Sequence, residues 1–519
     1  MRCTELRWLA AIKGLAGGIA VCCAMAPLAR AAARPRYGGV LRVELRAASA
    51  NLNPVKWKAG SGEFAANSRL AELLFDRLVV LDNYGRFQPQ LATEWSHDVA
   101  AKRWQFTLRQ GVRFSDGTLL TAGEVAAALR PLLPREMQVA AAGGGITIQS
   151  AMPAVDLLEV LAFGPYFVYQ DNGNGVLRGT GPFVLESISA SARDTDKAGA
   201  DGVPGQTQRL RFRFNENCWN GRPYLDAIEV TLGVPPLKAL LDLQLGKTDL
   251  GELSLETAKR AQRTNLKCWI SAPLTLYALK FSGDGKSESE RRLRDAISLS
   301  VDRGAMARVL LQKQAEAAGS FLPQWLSGYA FLFDLESSLE RAKELRKTMP
   351  AGALGAAQPL RIAVDANNEL SKLIAERVVV DARAAGLTLQ TVKGTTRAVS
   401  EPAGAKSDGD VQLVAWHYTS LSPRSTLESL ANAARSQSAG GEMPLDADAR
   451  YAWEKRMMEQ KNLLPLVAVA DFAAVDARVR NWSPAPWGEW RLADVWLEQG
   501  EVANPTRDAV GKSSMGARP

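Results

Sequence analysis

The stretch ATEWSHDVAAKRWQFTLRQGVRFSDGTLLTAGEV (residues 92–125) decides the reading of this chain. Within it, WQFTLR (104–109) alternates apolar and polar side chains, the two-residue period of a half-buried strand. Gly111 and the turn Ser115-Asp116-Gly117 then interrupt the pattern. Thr121 and Glu124 have the spacing of a capping box, in which each side chain satisfies a backbone N–H that the first helical turn leaves free. A helix is expected from there to about Leu129.

Outward from this stretch, strand and helix patterns alternate. VLRVELR (40–46), RLRFRF (209–214), AIEVTL (227–232), LYALKF (276–281) and VQLVAW (411–416) read as strands. Residues 235–262 read as helical after Pro236. Ser287 and Glu290 offer a second capping box, followed by Leu293, Ile297 and Val301 at helical spacing. Residues 336–347 read as a short charged helix. LRIAV (360–364), a helix over 369–384 ending at Gly386, and LTLQTV (387–392) make a β-α-β unit. Residues 135–180 are Gly-rich with short apolar stretches and take no firm assignment, and 190–206 has the composition of a surface loop. The alternation implies an α/β fold with partly parallel sheets. In such sheets ligands sit beyond the carboxyl ends of strands, which singles out Trp416–Thr419.

With 519 residues, 46% of them apolar and 23% charged, the chain can bury real cores, and disorder or a small disulfide scaffold is excluded. Lys and Arg number 63 against 55 Asp and Glu, a net +8. Residues 1–33 hold Arg2, Arg7, Lys13 and Arg30 against Glu5, so +3 belongs there and the rest is spread thinly. No basic run of the kind that marks a nucleic-acid partner is present. Residues 1–33 read as a cleaved signal peptide: basic residues, an apolar run, then small-residue sites at Ala29-Arg30-Ala31 and Ala31-Ala32-Ala33. An uncleaved anchor and a lipoprotein at Cys22 or Cys23 are the alternatives; Val21 before Cys22 is a poor lipoprotein site. Past this segment only Cys218 and Cys268 remain, either one disulfide in an oxidising compartment or two buried thiols.

Enzyme chemistry finds little support. The two histidines, His97 and His417, have no G-x-S-x-G elbow beside them, and His97 in a polar WSHD stretch reads as a surface residue. No C-x-x-C, H-E-x-x-H or phosphate loop occurs, so no metal or cofactor is expected.

Residues 92–125 resemble extracellular solute-binding protein family 5, the peptide, dipeptide and nickel receptors of ABC importers, with Glu124 where the family often has Asp. Further matches follow in order: YGGVLRV (37–43), LNP (52–54), GTGPF (179–183), NCWNGRPYLDAIEV (217–230), RRLRDAISLSVDRGAM (291–306), LLPLVAV (463–469) and VRNWSPAPWGEWRLADVW (479–496). The resemblance implies a two-lobed, three-domain periplasmic-binding-protein fold of type II, in the large cluster with an extra inserted domain. It implies a signal peptide over 1–33 and domain I in three parts, 34–65, 179–275 and 471–519 with the C-terminal tail. Domain II would be inserted at 66–178, and domain III, the opposing lobe, would span 276–470. It implies a periplasmic monomer that takes a small organic solute or short peptide into an interlobe cleft and passes it to a membrane permease. The residues it nominates for the ligand are Asn53, Trp219, Trp416, His417, Tyr418 and Thr419.

Two departures bear on the ligand. Peptide-binding relatives close the strand corresponding to 411–416 with W-x-x-D, whose Asp pairs with the ligand's amino group; here Trp416-His417-Tyr418-Thr419 puts Thr419 there. A buried ammonium without a carboxylate is costly, by several kcal/mol in general terms, so the peptide-amine mode is not expected at this position. The segments 130–179 and 416–465 are short for the family, and with only His417 near the expected cleft, nickel-type binding is disfavoured. An exported binding or sensor protein uncoupled from import, and a secreted hydrolase, remain the competing readings.

Overall fold

A computed structural model describes residues 34–58, 60–173, 177–191, 207–283, 285, 287–350, 358–365, 368–394, 409–434 and 443–498. The expected signal peptide lies outside the described residues, as does most of the 190–206 loop. Residues 37–497 form one compact unit.

Its frame is an 11-stranded sheet. In chain order the elements that matter are β1 (Val40–Glu44), α1 (Phe64–Leu74), β2 (Ala92–His97), β3 (Arg103–Leu108), α2 (Ala122–Leu129), β4 (Met137–Ala142), β5 (Gly145–Ser150), β6 (Phe183–Ser191), β7 (Thr207–Phe214) and β8 (Ala227–Thr231). There follow α3 (Pro236–Gln244), β9 (Leu250–Leu253), α4 (Leu255–Ala261), β10 (Lys267–Phe281), α5 (Glu288–Ser300), β11 (Ala315–Ala317), α6 (Leu339–Thr348), β12 (Leu360–Asp365) and α7 (Glu369–Ala384). The last are β13 (Leu389–Gly394), β14 (Val411–His417), α8 (Pro423–Ala434), α9 (Ala447–Glu459) and β15 (Leu463–Val475). The strand order is β6-β7-β8-β1-β9-β15-β10-β14-β12-β13, with β11 beside β15. β1 runs parallel to β8 and β9, and β12 parallel to β13 and β14. The α/β class with parallel segments is therefore present.

Two long antiparallel strands join the two groups. β15 pairs with β9 through Phe472–Val475 and with β11 through Val467–Val469. β10 pairs with β15 along most of its length and with β14 only from Thr275 to Phe281. The β10–β15 register shifts on both sides of Pro273. Proline has no N–H to give a ladder, so a shift there is the expected local response. Each half of the sheet has its own buried cluster, one around Leu41, Phe212 and Ile228, the other around Ile297, Ile362 and Ile374.

The opening stretch folds as read. In β3 the buried side chains are Trp104, Phe106 and Leu108, and the intervening ones face solvent. They pack with Ile146 and Ile148 of β5 and Val125 and Leu129 of α2, in a separate sheet of order β2-β3-β5-β4. Thr121 and Glu124 form a complete capping box: Glu124 N–H donates to Thr121 Oγ1 at 3.3 Å and Thr121 N–H to Glu124 Oε2 at 2.7 Å. Gly117, at φ +88°, supplies the left-handed turn between β3 and the box.

Elsewhere the expectations need correction. The helix expected over 235–262 breaks into α3, β9 and α4. Gly246, at φ +66°, ends α3, and Leu250–Leu253 then pairs beside β1 and β15. The second capping box does not form. Ser287 precedes α5 without a side-chain cap bond, and Glu290 turns back to accept from Gly285 N–H at 3.0 Å. Of the two alternatives left open for the cysteines, the structure has the free thiols, at Cys218 and Cys268. Cys218 follows β7, whereas Cys268 lies on β10 opposite Ala474. Those strands are five places apart in the sheet, roughly 24 Å at the usual strand spacing of about 4.8 Å, well beyond the roughly 7 Å Cα limit for a bridge.

Candidate ligand-binding site

β14 delivers Trp416 and His417 to opposite faces of the sheet, as strand periodicity requires. Trp416 is 1% exposed and joins a cluster with Leu276, Val414, Leu427 and Leu430. Tyr418 lies in the same cluster, and its hydroxyl donates to the Phe321 carbonyl at 2.7 Å. Gly60 closes over the indole: a Cβ built there would stand 2.4 Å from Trp416 Cε3. Gly60 also forms an isolated antiparallel bridge with His417.

His417 is buried. Its Nδ1 lies 3.2 Å from the Thr275 hydroxyl, and its ring lies 5.8 Å from that of Phe64. Burial lowers its pKa; Arg69 adds to this, while Asp471 and Glu252 oppose it. Those three form a charged cluster at the β10–β15 crossing. Arg69, from α1, donates to Asp471 Oδ2 at 2.6 Å and to Glu252 Oε1 at 3.4 Å, and its guanidinium lies 4.4 Å from the Trp490 ring centroid. Burial would raise the Asp471 carboxyl, but the Arg69 charge and hydrogen bond, with smaller effects of His417 and Arg46, hold it below its ordinary range.

After the strand, the Thr419 carbonyl abuts Gly164, where a Cβ would come within 2.8 Å. Ser422 donates its hydroxyl to Asp156, and Arg424 donates to the Pro153 carbonyl at 3.1 Å. The segment 419–424 is thus held against 153–164.

The other two nominated residues have local roles. Asn53 caps a short turn by accepting from Val55 N–H at 3.2 Å and also accepts from the Tyr169 hydroxyl at 3.2 Å. Trp219 donates its indole N–H to the buried Asp76 at 2.8 Å, with the Arg109 guanidinium 4.3 Å from its ring centroid. The structure brings Trp416, His417, Tyr418 and Thr419 together but seats Trp219 with the core of the β2–β5 sheet. Gly60, Phe64, Arg69 and Asp471 were not legible as site residues. Their only sequence mark is a glycine, a phenylalanine and two charges far apart in the chain.

Beside Tyr418 lies a cavity of about 160 Å³, lined among others by Glu316, Gln324, Leu332 and Phe333. No group of three or more His, Cys, Asp or Glu side chains that could hold a metal ion occurs among the described residues. His97 is exposed, with Nδ1 2.7 Å from the Asp98 carbonyl. Among the described residues, no helix is long and apolar enough to cross a membrane.

Comparison with known proteins agrees with this architecture. The chain is 24% identical over 369 residues to the nickel-binding periplasmic protein of Escherichia coli (strain K12), covering 63% of this chain and 67% of that protein. Among solved structures it superposes with DppA from Helicobacter pylori in complex with the peptide STSA, at a TM-score of 0.71 and 17% identity. That match covers 90% of this chain and 99% of the other. AgaA from A. tumefaciens R10, in complex with agropinic acid, gives a TM-score of 0.70 at 16% identity, covering 89% of this chain and all of the other. These likenesses establish the two-lobed fold. The pattern of bacterial extracellular solute-binding proteins, family 5, matches residues 86–438, more than half the sequence, and to that family of solute receptors the chain belongs.

Proposed function

We propose that this protein is an exported, non-enzymatic receptor of an ABC importer, which takes a short peptide or other small organic solute between its lobes and hands it to a membrane permease. The observation that carries the reading is the pair of crossing strands, β10 and β15, with their register shifts around Pro273. Two groups of strands joined by such a bulged crossing can rotate as bodies, and a ligand touching both favours the closed arrangement. The same pairing supports domain boundaries near 275 and 470; domain II over 66–178, domain I parts at 34–65, 179–275 and 471–519, and a signal peptide over 1–33 rest on the sequence alone.

The ligand contacts are drawn from Trp416–Thr419, with Asn53 and Trp219 in supporting positions. Thr419 offers no charge for a ligand ammonium, and the nearby Asp156 already accepts from Ser422. The receptor therefore recognises its solute without an amine–carboxylate pair at Thr419. Mass spectrometry of solute released from purified protein identifies the cargo. Calorimetry with a dipeptide and its N-acetylated form then tests the mode: equal affinities support it, and a loss of tenfold or more on acetylation refutes it.

A second reading, a binding protein uncoupled from import, draws on the covered state of Trp416. A ligand-induced rise in melting temperature favours the receptor; no response to any solute pool favours the second reading.

A further inference from the structure

The strand end nominated for ligand contact is already occupied by the protein's own backbone. Gly60 and Phe64 belong to the stretch entering α1, which packs with the β1 half of the sheet, whereas Trp416 and His417 end β14 in the other half. Three contacts join them. Gly60 lies on the Trp416 ring so closely that only a residue without a side chain fits, and its φ of +71° also favours glycine. The Gly60 carbonyl accepts from His417 N–H at 3.4 Å. The Phe64 ring faces the imidazole.

We propose that the Gly60–Phe64 turn is a clasp that holds the two halves together over the Trp416–His417 strand end, and that protonation of His417 releases it. The inference does not depend on which solute the protein carries.

The surroundings of His417 set the direction. Thr275 on β10 offers a hydroxyl, α1 contributes Phe64 and Arg69, β15 contributes Asp471 and β9 contributes Glu252. Both carboxylates are engaged by Arg69. The neighbouring charges pull both ways, Asp471 and Glu252 favouring a proton on the imidazole and Arg69 opposing it, so it is the enclosure of the ring by Phe64 and the Gly60 turn, closed to water, that opposes the proton. Burial holds the His417 pKa below its ordinary value in the clasped state. Once released and solvated, the ring returns to about 6.5. The released state binds the proton more readily, so the clasp is intact above about pH 6.5 and weakens as pH falls through the lowered value.

Hydrogen exchange on the full chain tests this. Protection factors, corrected for the intrinsic pH dependence of exchange, are compared at pH 8 and pH 5 for peptides spanning 60–66 and 414–419, with α7 as the reference for global opening. The wild type is expected to lose protection about fivefold or more at the clasp while α7 is unchanged. His417→Asn, which keeps a polar side chain but cannot take the proton, is expected to be flat across this range. Gly60→Ala is expected to lose clasp protection at both pH values, again with α7 unchanged. The proposal is overturned by pH-independent protection in the wild type, by a wild-type response in His417→Asn, by full protection in Gly60→Ala, or by loss in α7 in step with the clasp. Should His417→Asn fold poorly, His417→Gln serves the same comparison.

Discussion

Arg69 Nη2 donates to Asp471 Oδ2 at 2.6 Å, tying helix α1 to the strand β15 where it crosses between the halves of the sheet. The arginine side chain is 3% exposed and the aspartate 16%, so water screens the pair weakly. Removing one partner leaves a charge buried without compensation, which generally costs about 3–5 kcal/mol. Asp471→Asn and Arg69→Met are each expected to fall in that range in urea denaturation. Because both remove the same interaction, the double variant is expected to cost clearly less than their sum. An Asp471→Asn cost below about 1 kcal/mol would show that Glu252, the Gly488 carbonyl and Trp490 hold Arg69 without Asp471.

Glu454 on α9 gives a pH prediction. Its carboxyl is fully buried and accepts from Phe321 N–H at 2.6 Å, Leu322 N–H at 3.2 Å and the Tyr329 hydroxyl at 2.7 Å. Burial outweighs these donors and pushes its pKa up to about 7. The folded form holds this proton more tightly than the unfolded chain. Its contribution is therefore complete below the unfolded value, about 4.3, and is lost as pH rises through about 7. Glu454→Gln cannot ionise. Its melting temperature relative to wild type is expected to rise between pH 5 and pH 8.5; a constant difference would refute the assignment.

The capping box at α2 is expected to contribute about 1 kcal/mol. Thr121→Ala removes the hydroxyl acceptor for Glu124 N–H, and chemical denaturation should show a loss of that size. Thr121→Ser, which keeps the oxygen, should recover most of it.

Cys218 and Cys268 are both expected to carry the label when the protein is alkylated under denaturing conditions without reductant and digested. Alkylation of the native protein at pH 8 should be slow at Cys218, because burial pushes its thiol up to about 11 and the thiolate is the reactive form. A disulfide-linked peptide joining Cys218 to Cys268 would contradict the structure.

The elements that local chemistry dictates were legible in the sequence. The Thr121–Glu124 box and the alternation of 104–109 are decided within one turn or one strand, and both fold as read. β15 shows where local reading fails. Its 13 residues are buried almost throughout, so no period separates strand from helix, and its length emerges only from pairing with three partners. The Glu290 box was outcompeted by Gly285, a contact that depends on how the preceding loop is held. For the ligand site, the sequence pointed to the end of β14 but not to what covers it. Gly60 and Phe64 meet Trp416 and His417 across more than 300 positions of chain, and no local pattern encodes such a meeting.

The crossing of β10 and β15 also bears on how the polypeptide tolerates being cut. The halves are stitched by backbone ladders through shared strands rather than strung on a tether. A protease nicking an exposed loop in either half would leave the fragments annealed, running as one particle on a sizing column until denaturant melts the shared ladder. Transplanting one half alone would leave β10 or β15 with an unpaired edge, a template for aggregation, so the two halves are best expressed and engineered as a single unit.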